Sequence, residues 1–353
     1  MWSHLPQELQ IKIFGLIDSI AQLAECRLVC KCWYHQADST LLGQHIILEN
    51  DKDIIQLYTF LNGDPVRGSL VKNVTLLGPH FHDYLLGELV CLIFTPTLEK
   101  FKGRLEGCGS NILFEINLNA LTDVSNFDRL TILPTPQKFT FMYFNTLVKF
   151  KESLQSMALY LNDLHQDLEQ QRYIMERLQG FKALVMLDLK IKINNVTDAE
   201  QILQHFTRLE WLRLEIYTEC AFIMSEKRTQ EWTTNSVAVV ESLKSLEVKG
   251  CIFGDVFEYL CYKYASIHTI KLDYSEHMRG LLFTTDFERI VNRLMEMASR
   301  AEIDATFYLP DYVGTERLTP LLNRIGGTKH LTYDAKRKLI IWTTDNNPKE
   351  EST

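Results

Sequence analysis

Apolar residues along the chain repeat with two different periods. Over roughly the first forty-five positions the spacing is helical: Leu9, Ile13, Leu16 and Ile17 form one stripe, and Ile11 and Phe14 add apolar surface off it. Pro6 suits a first helical turn, where its missing N–H costs nothing. Asp18-Ser19 ends this helix, and Ser19-x-x-Gln22 has the form of a capping box that starts a second helix carrying Ile20, Leu23 and Ala24. A third helical stretch runs from the Trp33 region to about Leu42.

Further on, the pattern becomes Leu-x-x-Leu-x-Leu with apolar substitutions. It occurs at Val71–Leu76, Leu154–Leu159, Leu184–Leu189, Leu209–Leu214, Leu243–Val248 and Ile267–Leu272, with a weaker match at Leu98-x-x-Phe101. The last five begin 30, 25, 34 and 24 residues apart. Helix-like segments lie between them: Tyr173–Leu178, Asp198–Phe206 with Asp198 as its N-cap, and Asp255–Cys261. Strand and helix alternating at this interval predict an α/β array whose units bury one face by stacking on their neighbours. Residues 105–150 show no clean repeat, and Leu133-Pro134-Thr135-Pro136 interrupts them; a degenerate repeat, a loop excursion or both would fit. The polar run Ser225–Asn235 reads as an exposed loop, either partner-binding or a tolerated insertion. His330–Tyr333 and Leu339–Thr343 flank a polar turn and predict a terminal β-hairpin, after which residues 345–353 read as a frayed tail.

Composition narrows the function. The chain is 46% hydrophobic and 23% charged, enough for sizeable cores. Its net charge of −8 gives no long-range pull toward nucleic acid or anionic membrane, so neither is expected as a partner. No run of eighteen uncharged apolar residues occurs, and the first residues do not resemble a secretory signal. Eight cysteines lack any Cys-x-x-Cys pair and read as reduced thiols, which predicts a cytoplasmic or nuclear protein. His80-x-His82 with Asp83 has no further ligand cluster and reads as a polar loop rather than a metal site. Gly103, Gly107 and Gly109 lack dinucleotide spacing, and no phosphate-loop, nucleophile-elbow or zinc-protease motif appears. No catalytic residue, metal or cofactor is expected.

Forty residues with apolar groups on more than one helix face cannot bury them all internally, and a partner protein is the natural cover. The run Leu5-Pro6-x-Glu8-Leu9-x-x-x-Ile13-Phe14, then Leu23, then Leu28-Val29-Cys30-x-x-Trp33, resembles an F-box over residues 3–45. The resemblance implies binding to a Skp-type adaptor, and through it to a cullin and a RING subunit. Leu5, Pro6, Leu9, Ile13, Leu28, Val29 and Trp33 would form or support the adaptor surface. Leu41-Leu42-Gly43 departs from the family, many of whose members carry a second tryptophan there. The other reading of this segment is a three-helix cap on the rest of the chain.

The later segments resemble the leucine-rich repeats that often follow an F-box. The asparagine or cysteine typical of such repeats is matched once, by Cys251, whereas Lys192, Tyr217 and Ser275 stand elsewhere, so irregular turns are expected. The implied fold is α/β: a small three-helix F-box at 1–45, an irregular leucine-rich-repeat solenoid forming a horseshoe-like arc at 46–329, a hairpin cap at 330–344 and a disordered tail. Between the inward leucines, alternation places Met186, Asp188, Lys190, Trp211, Arg213, Glu215, Ser245, Glu247, Lys249, Thr269, Lys271 and Asp273 on the open face, where a target protein would bind. The implied function is the substrate receptor of a cullin–RING ubiquitin ligase, with a non-degradative F-box scaffold as the alternative.

Overall fold

A computed structural model describes residues 6–17, 19–78, 80–105, 127–163, 168–217, 223–250, 252–274, 282–298, 303–308, 330–334 and 339–343. The chain divides into two compact units, Met1–Met157 and Ala158–Thr353.

The first unit opens with α1 (Gln7–Gly15), α2 (Ile20–Cys26) and α3 (Lys31–Gly43). Ser19 caps α2, its hydroxyl accepting from the Gln22 N–H. Phe14, Leu23 and Ala37 form the core of these helices, with Ile17, Cys26, Trp33 and Leu41 packed around it. The apolar stripe of α1 divides between the two sides. Phe14 and Ile17 face inward, whereas Leu9, Ile13 and Leu16 face out.

There follow β1 (His45–Leu48), α4 (Asp51–Asn62), a 3-10 turn (Pro65–Leu70), β2 (Asn73–Leu76), α5 (Asp83–Ile93), β3 (Lys100–Leu105), β4 (Thr135–Pro136) and α6 (Phe141–Lys149). The four strands form a parallel sheet in chain order. Leu48, Val74, Leu76, Phe101 and Leu105 on one face are buried, as are Ile54 and Leu61 of α4 and Leu86, Leu89, Val90 and Ile93 of α5. A crossover helix between parallel strands is what makes this burial possible. Asn50 and Asp53 form a reciprocal capping box that starts α4 immediately after β1. Gly103 takes φ +122° directly over Leu76, where a Cβ would come within 2.4 Å of the Leu76 carbonyl oxygen.

The segment 105–150 is thus not simply a break. Within its described part, β4 extends the sheet, Ile132 bridges in parallel to Lys100 and Ser156, and α6 buries Tyr143, Phe144 and Leu147. Leu98-x-x-Phe101 likewise leads into a full strand.

The second sheet has eight strands in the order β11-β12-β10-β9-β8-β7-β6-β5: β5 (Ser156–Tyr160), β6 (Met186–Lys192), β7 (Trp211–Tyr217), β8 (Ser245–Gly250), β9 (Thr269–Asp273), β10 (Asp304–Tyr308), β11 (His330–Asp334) and β12 (Leu339–Thr343). Strands β6 to β10 run parallel. The hairpin β11–β12 adds antiparallel to β10 through β12. Its turn at 335–338 and the tail from 344 lie outside the described residues. Between strands lie α7 (Leu168–Leu178), α8 (Val196–Leu203), α9 (Glu226–Ser236), α10 (Gly254–Lys263) and α11 (Leu282–Ala298).

Two helix boundaries differ from expectation. The N-cap of α8 is Asn195, and Asp198 sits at the third helical position, returning a carboxylate to the Asn195 N–H at 3.2 Å. The segment expected to begin at Asp255 begins at Gly254, and Asp255 lies buried in α10, accepting from the Met224 N–H at 2.8 Å. The polar run Ser225–Asn235 is not an exposed loop but the body of α9, which buries Thr229 and Thr233 and sets the Trp232 ring 5.5 Å from that of Tyr259.

Beneath the second sheet is a buried charge network. Lys263, 1% exposed, places Nζ 2.8 Å from Glu200 Oε2, and the Tyr259 hydroxyl donates to the same carboxylate at 2.5 Å. Satisfied on several sides, the pair ties α8 to α10.

Candidate functional site

Several large apolar residues face outward on the three N-terminal helices and in the turn between α2 and α3. Leu9, Ile13, Leu28 and Val29 are exposed, Leu28 at 86%, and Pro6 lies exposed at the start of α1. Ile11 and Leu16 are exposed beside them, Leu16 at 81%. Neither was assigned to the adaptor surface on sequence grounds. Their signal was present, because once Phe14 and Ile17 turn inward the rest of the α1 apolar set must face solvent. Leu5 lies outside the described residues. Trp33 differs from the others: it is half-buried and meets Phe14 edge-on, so it supports the surface from the core side.

A charged cluster anchors these helices to the 3-10 turn beyond α4. Asp38 of α3, 3% exposed, lies 2.5 Å from Arg27 Nε and 3.0 Å from Arg67 Nε. Arg67 also donates to the Phe60 carbonyl oxygen at 2.9 Å and to the Tyr34 hydroxyl. Both guanidinium groups stack on the Phe60 ring, at 4.6 and 4.5 Å from its centre. Burial pushes the Asp38 carboxyl above its ordinary value, opposed by Arg27. The sequence marked none of these residues, because Arg27, Asp38 and Arg67 are far apart in the chain and no short spacing signals them.

In the second unit the residues assigned to the open face fall into three rows set by strand register. Met186, Trp211, Ser245 and Thr269 are in line; so are Asp188, Arg213, Glu247 and Lys271; so are Lys190, Glu215, Lys249 and Asp273. The two charged rows alternate in sign both across strands and along each strand, and their eight charges cancel. Lys190 pairs with Glu215 at 3.0 Å and Lys271 with Glu247 at 3.2 Å, while Arg213 lies between Asp188 at 3.8 Å and Glu247 at 3.7 Å. Two tyrosines border the lattice. Tyr160 donates to Asp188 at 3.2 Å and lies under the Lys190 ammonium, and Tyr308 lies under that of Lys271. Tyr160 was legible, since it follows Leu159 in the same strand pattern.

Environment splits two carboxylates of these rows. Burial raises Asp188, outweighing Arg213 and the Tyr160 hydrogen bond. Burial also acts on Glu215, but hydrogen bonds from Tyr217 and Lys190 prevail and hold it below its ordinary value. Met186 remains exposed and Trp211 half-exposed at the row beside the charges.

Among the described residues, no group of three His, Cys, Asp or Glu side chains converges as metal ligands, and no helix is long and apolar enough to cross a membrane. The His82 N–H donates to Asp51 at 2.8 Å at the start of α5. Cys26, Cys30, Cys32, Cys91 and Cys261 are unbridged, and burial raises the Cys261 thiol far out of its reactive range.

Residues 2–49 match the F-box-like family, whose domains generally bind Skp-type adaptors and are non-catalytic interaction modules. The match spans all three N-terminal helices and β1. No curated protein matches the chain.

Proposed function

We propose that this chain is the substrate receptor of a cullin–RING ubiquitin ligase in the cytoplasm or nucleus, docking a Skp-type adaptor through α1–α3 and holding a target protein on the remaining residues. The observation that carries the reading is the outward apolar set Leu9, Ile13, Leu28 and Val29 on the F-box-like domain. Exposed aliphatics in one small helical unit are costly in water and gain most by packing into a partner's groove.

The rest of the chain is read as an irregular leucine-rich solenoid. What supports this is that β6 to β10 follow one another in chain order, parallel, with helices between and one fully buried apolar face. A target would rest on the open face, with Met186 and Trp211 supplying apolar contact and the self-neutral charge lattice supplying polar contact. Such a receptor performs no chemistry. It raises the target's local concentration at the ubiquitin-carrying subunits.

The test is co-expression with a Skp-type adaptor and pull-down of the wild type beside Leu9→Asp. Leu9 is exposed, so the variant folds, but docking would bury an unpaired carboxylate at a cost of several kcal/mol. Wild-type capture lost in Leu9→Asp supports the reading; no capture by the folded wild type sinks it.

A further inference from the structure

The open face of the first sheet carries a different charge pattern from that of the second. Strand β3 places Lys100, Lys102 and Arg104 on one face, alternating with buried Phe101 and Leu105. Register sets His45 and Asn73 beside Lys100, Ile47 and Thr75 beside Lys102, and Thr135 beside Arg104. Ile132 flanks Lys100 on the other side. A 2.7 Å hydrogen bond between His45 and Thr75 confirms that these side chains share a face. No acidic residue occupies any paired position of this sheet. In the second sheet, by contrast, Asp188, Glu215, Glu247 and Asp273 stand in register with the cations of its charged rows. Lys100 and Lys102 are exposed and, among the described residues, form no ion pair.

We propose that this face is a docking surface for an acidic segment of a partner protein, bound in extended conformation with carboxylates at every second residue. Both period and charge support this. Alternate residues of a strand lie about 7 Å apart, which is the spacing of Lys100 and Lys102 along the row that Arg104 continues. An extended segment repeats its same-side side chains at the same interval and brings acids at alternate positions into register with Lys100 and Lys102. A contiguous run of the same number of acids presents only about half of them to that face, because alternate carboxylates point away. The flanking groups are an aliphatic pair, Ile47 and Ile132, and neutral hydrogen-bonding groups, Asn73, Thr75 and Thr135, which suit uncharged residues at the sides of such a segment. Three cations on a chain of net charge −8 make too small a field for a nucleic acid backbone or a membrane, whose binding needs many phosphate contacts. This surface requires neither the adaptor nor the ligase role.

The experiment is fluorescence anisotropy with the full chain at low ionic strength. Three probes are compared: a labelled heptapeptide with glutamates at alternate positions separated by threonine, a composition-matched peptide with the glutamates contiguous, and an oligothymidylate of similar length. The variants are Lys100→Gln/Lys102→Gln on the first sheet and Lys190→Gln/Lys271→Gln on the second. The expected result is that the alternating peptide binds best, that salt weakens it, and that the first-sheet double variant, folded by circular dichroism, loses about tenfold in affinity while the second-sheet variant does not. Absence of binding to the wild type, equal binding by both variants, preference for the contiguous peptide, or tighter binding of the oligonucleotide would each overturn it.

Discussion

The Trp33 ring meets the Phe14 ring edge-on, with centres 5.4 Å apart and planes at 87°. This contact joins α3 to α1 against the small core formed by Phe14, Leu23 and Ala37. In the proposed adaptor surface Trp33 would therefore act through stability, whereas Leu9 would belong to the surface itself. Trp33→Ala is expected to destabilise the N-terminal helices by about 2–4 kcal/mol, lower than for a fully buried tryptophan because the ring is half-exposed. Loss of protection in α1–α3 by hydrogen exchange would register it. Leu9→Asp should leave that protection unchanged while abolishing adaptor capture; matching exchange profiles for both variants would refute the distinction.

Asp38 is the shared counter-ion of Arg27 and Arg67. Asp38→Ala removes the shared acceptor of both guanidinium groups, leaving Arg67 its bonds to the Phe60 carbonyl oxygen and the Tyr34 hydroxyl. A loss of about 3 kcal/mol is expected, by analogy with other buried pairs broken on one side. Urea denaturation measures it. Replacing Arg27 and Arg67 by methionine together with Asp38→Leu should restore part of the loss, since no charge is then left unpaired.

Lys263 and Glu200 make the corresponding prediction for the second unit. Lys263→Met strands the Glu200 carboxylate against the Tyr259 hydroxyl, and about 3 kcal/mol of stability should be lost. The double variant Lys263→Met/Glu200→Gln should be less damaged than the single one. A double-mutant cycle giving no coupling would contradict the structure.

Glu215 and Asp188 should respond to acid in opposite senses. Glu215 is held below its ordinary value of 4.5, so its ionised form contributes stability that is present above about pH 4.5 and is lost as pH falls further. Asp188 lies above its ordinary 3.8, so ionisation costs stability in the fold, and that cost disappears as acid protonates it. Glu215→Gln is expected to lose about 1–2 kcal/mol near neutrality, with the gap to wild type closing in acid. Relative to wild type, Asp188→Asn should fare best near neutrality and lose that advantage on acidification. Chemical denaturation as a function of pH reads both trends.

Local apolar period was enough to place the N-terminal helices and most strands, though not β1, β4 or β10, while the F-box resemblance rested on the Leu5-Pro6 and Leu28-Val29-Cys30-x-x-Trp33 motifs. Leu187, Leu189, Leu212, Leu214, Leu246 and Val248, singled out by spacing, are all buried. Which residues between them share a face was equally legible, since alternation along a strand is fixed by backbone geometry. Helix α9 was not legible, because its buried side is made of threonines. Thr229 and Thr233 satisfy their own hydroxyls on the Ser225 and Gln230 carbonyl oxygens, so the helix enters the core without an apolar stripe. Nor did the pattern distinguish which side of α1 is core. Leu9 and Phe14 are equally apolar, and the arrival of Leu23 and Ala37 from other helices is what covers Phe14 and leaves Leu9 in solvent. Strand register, finally, is a relation between distant segments. It makes the charges of the second sheet cancel and sets no acid beside Lys100 and Lys102 of β3, and no single strand carries that information.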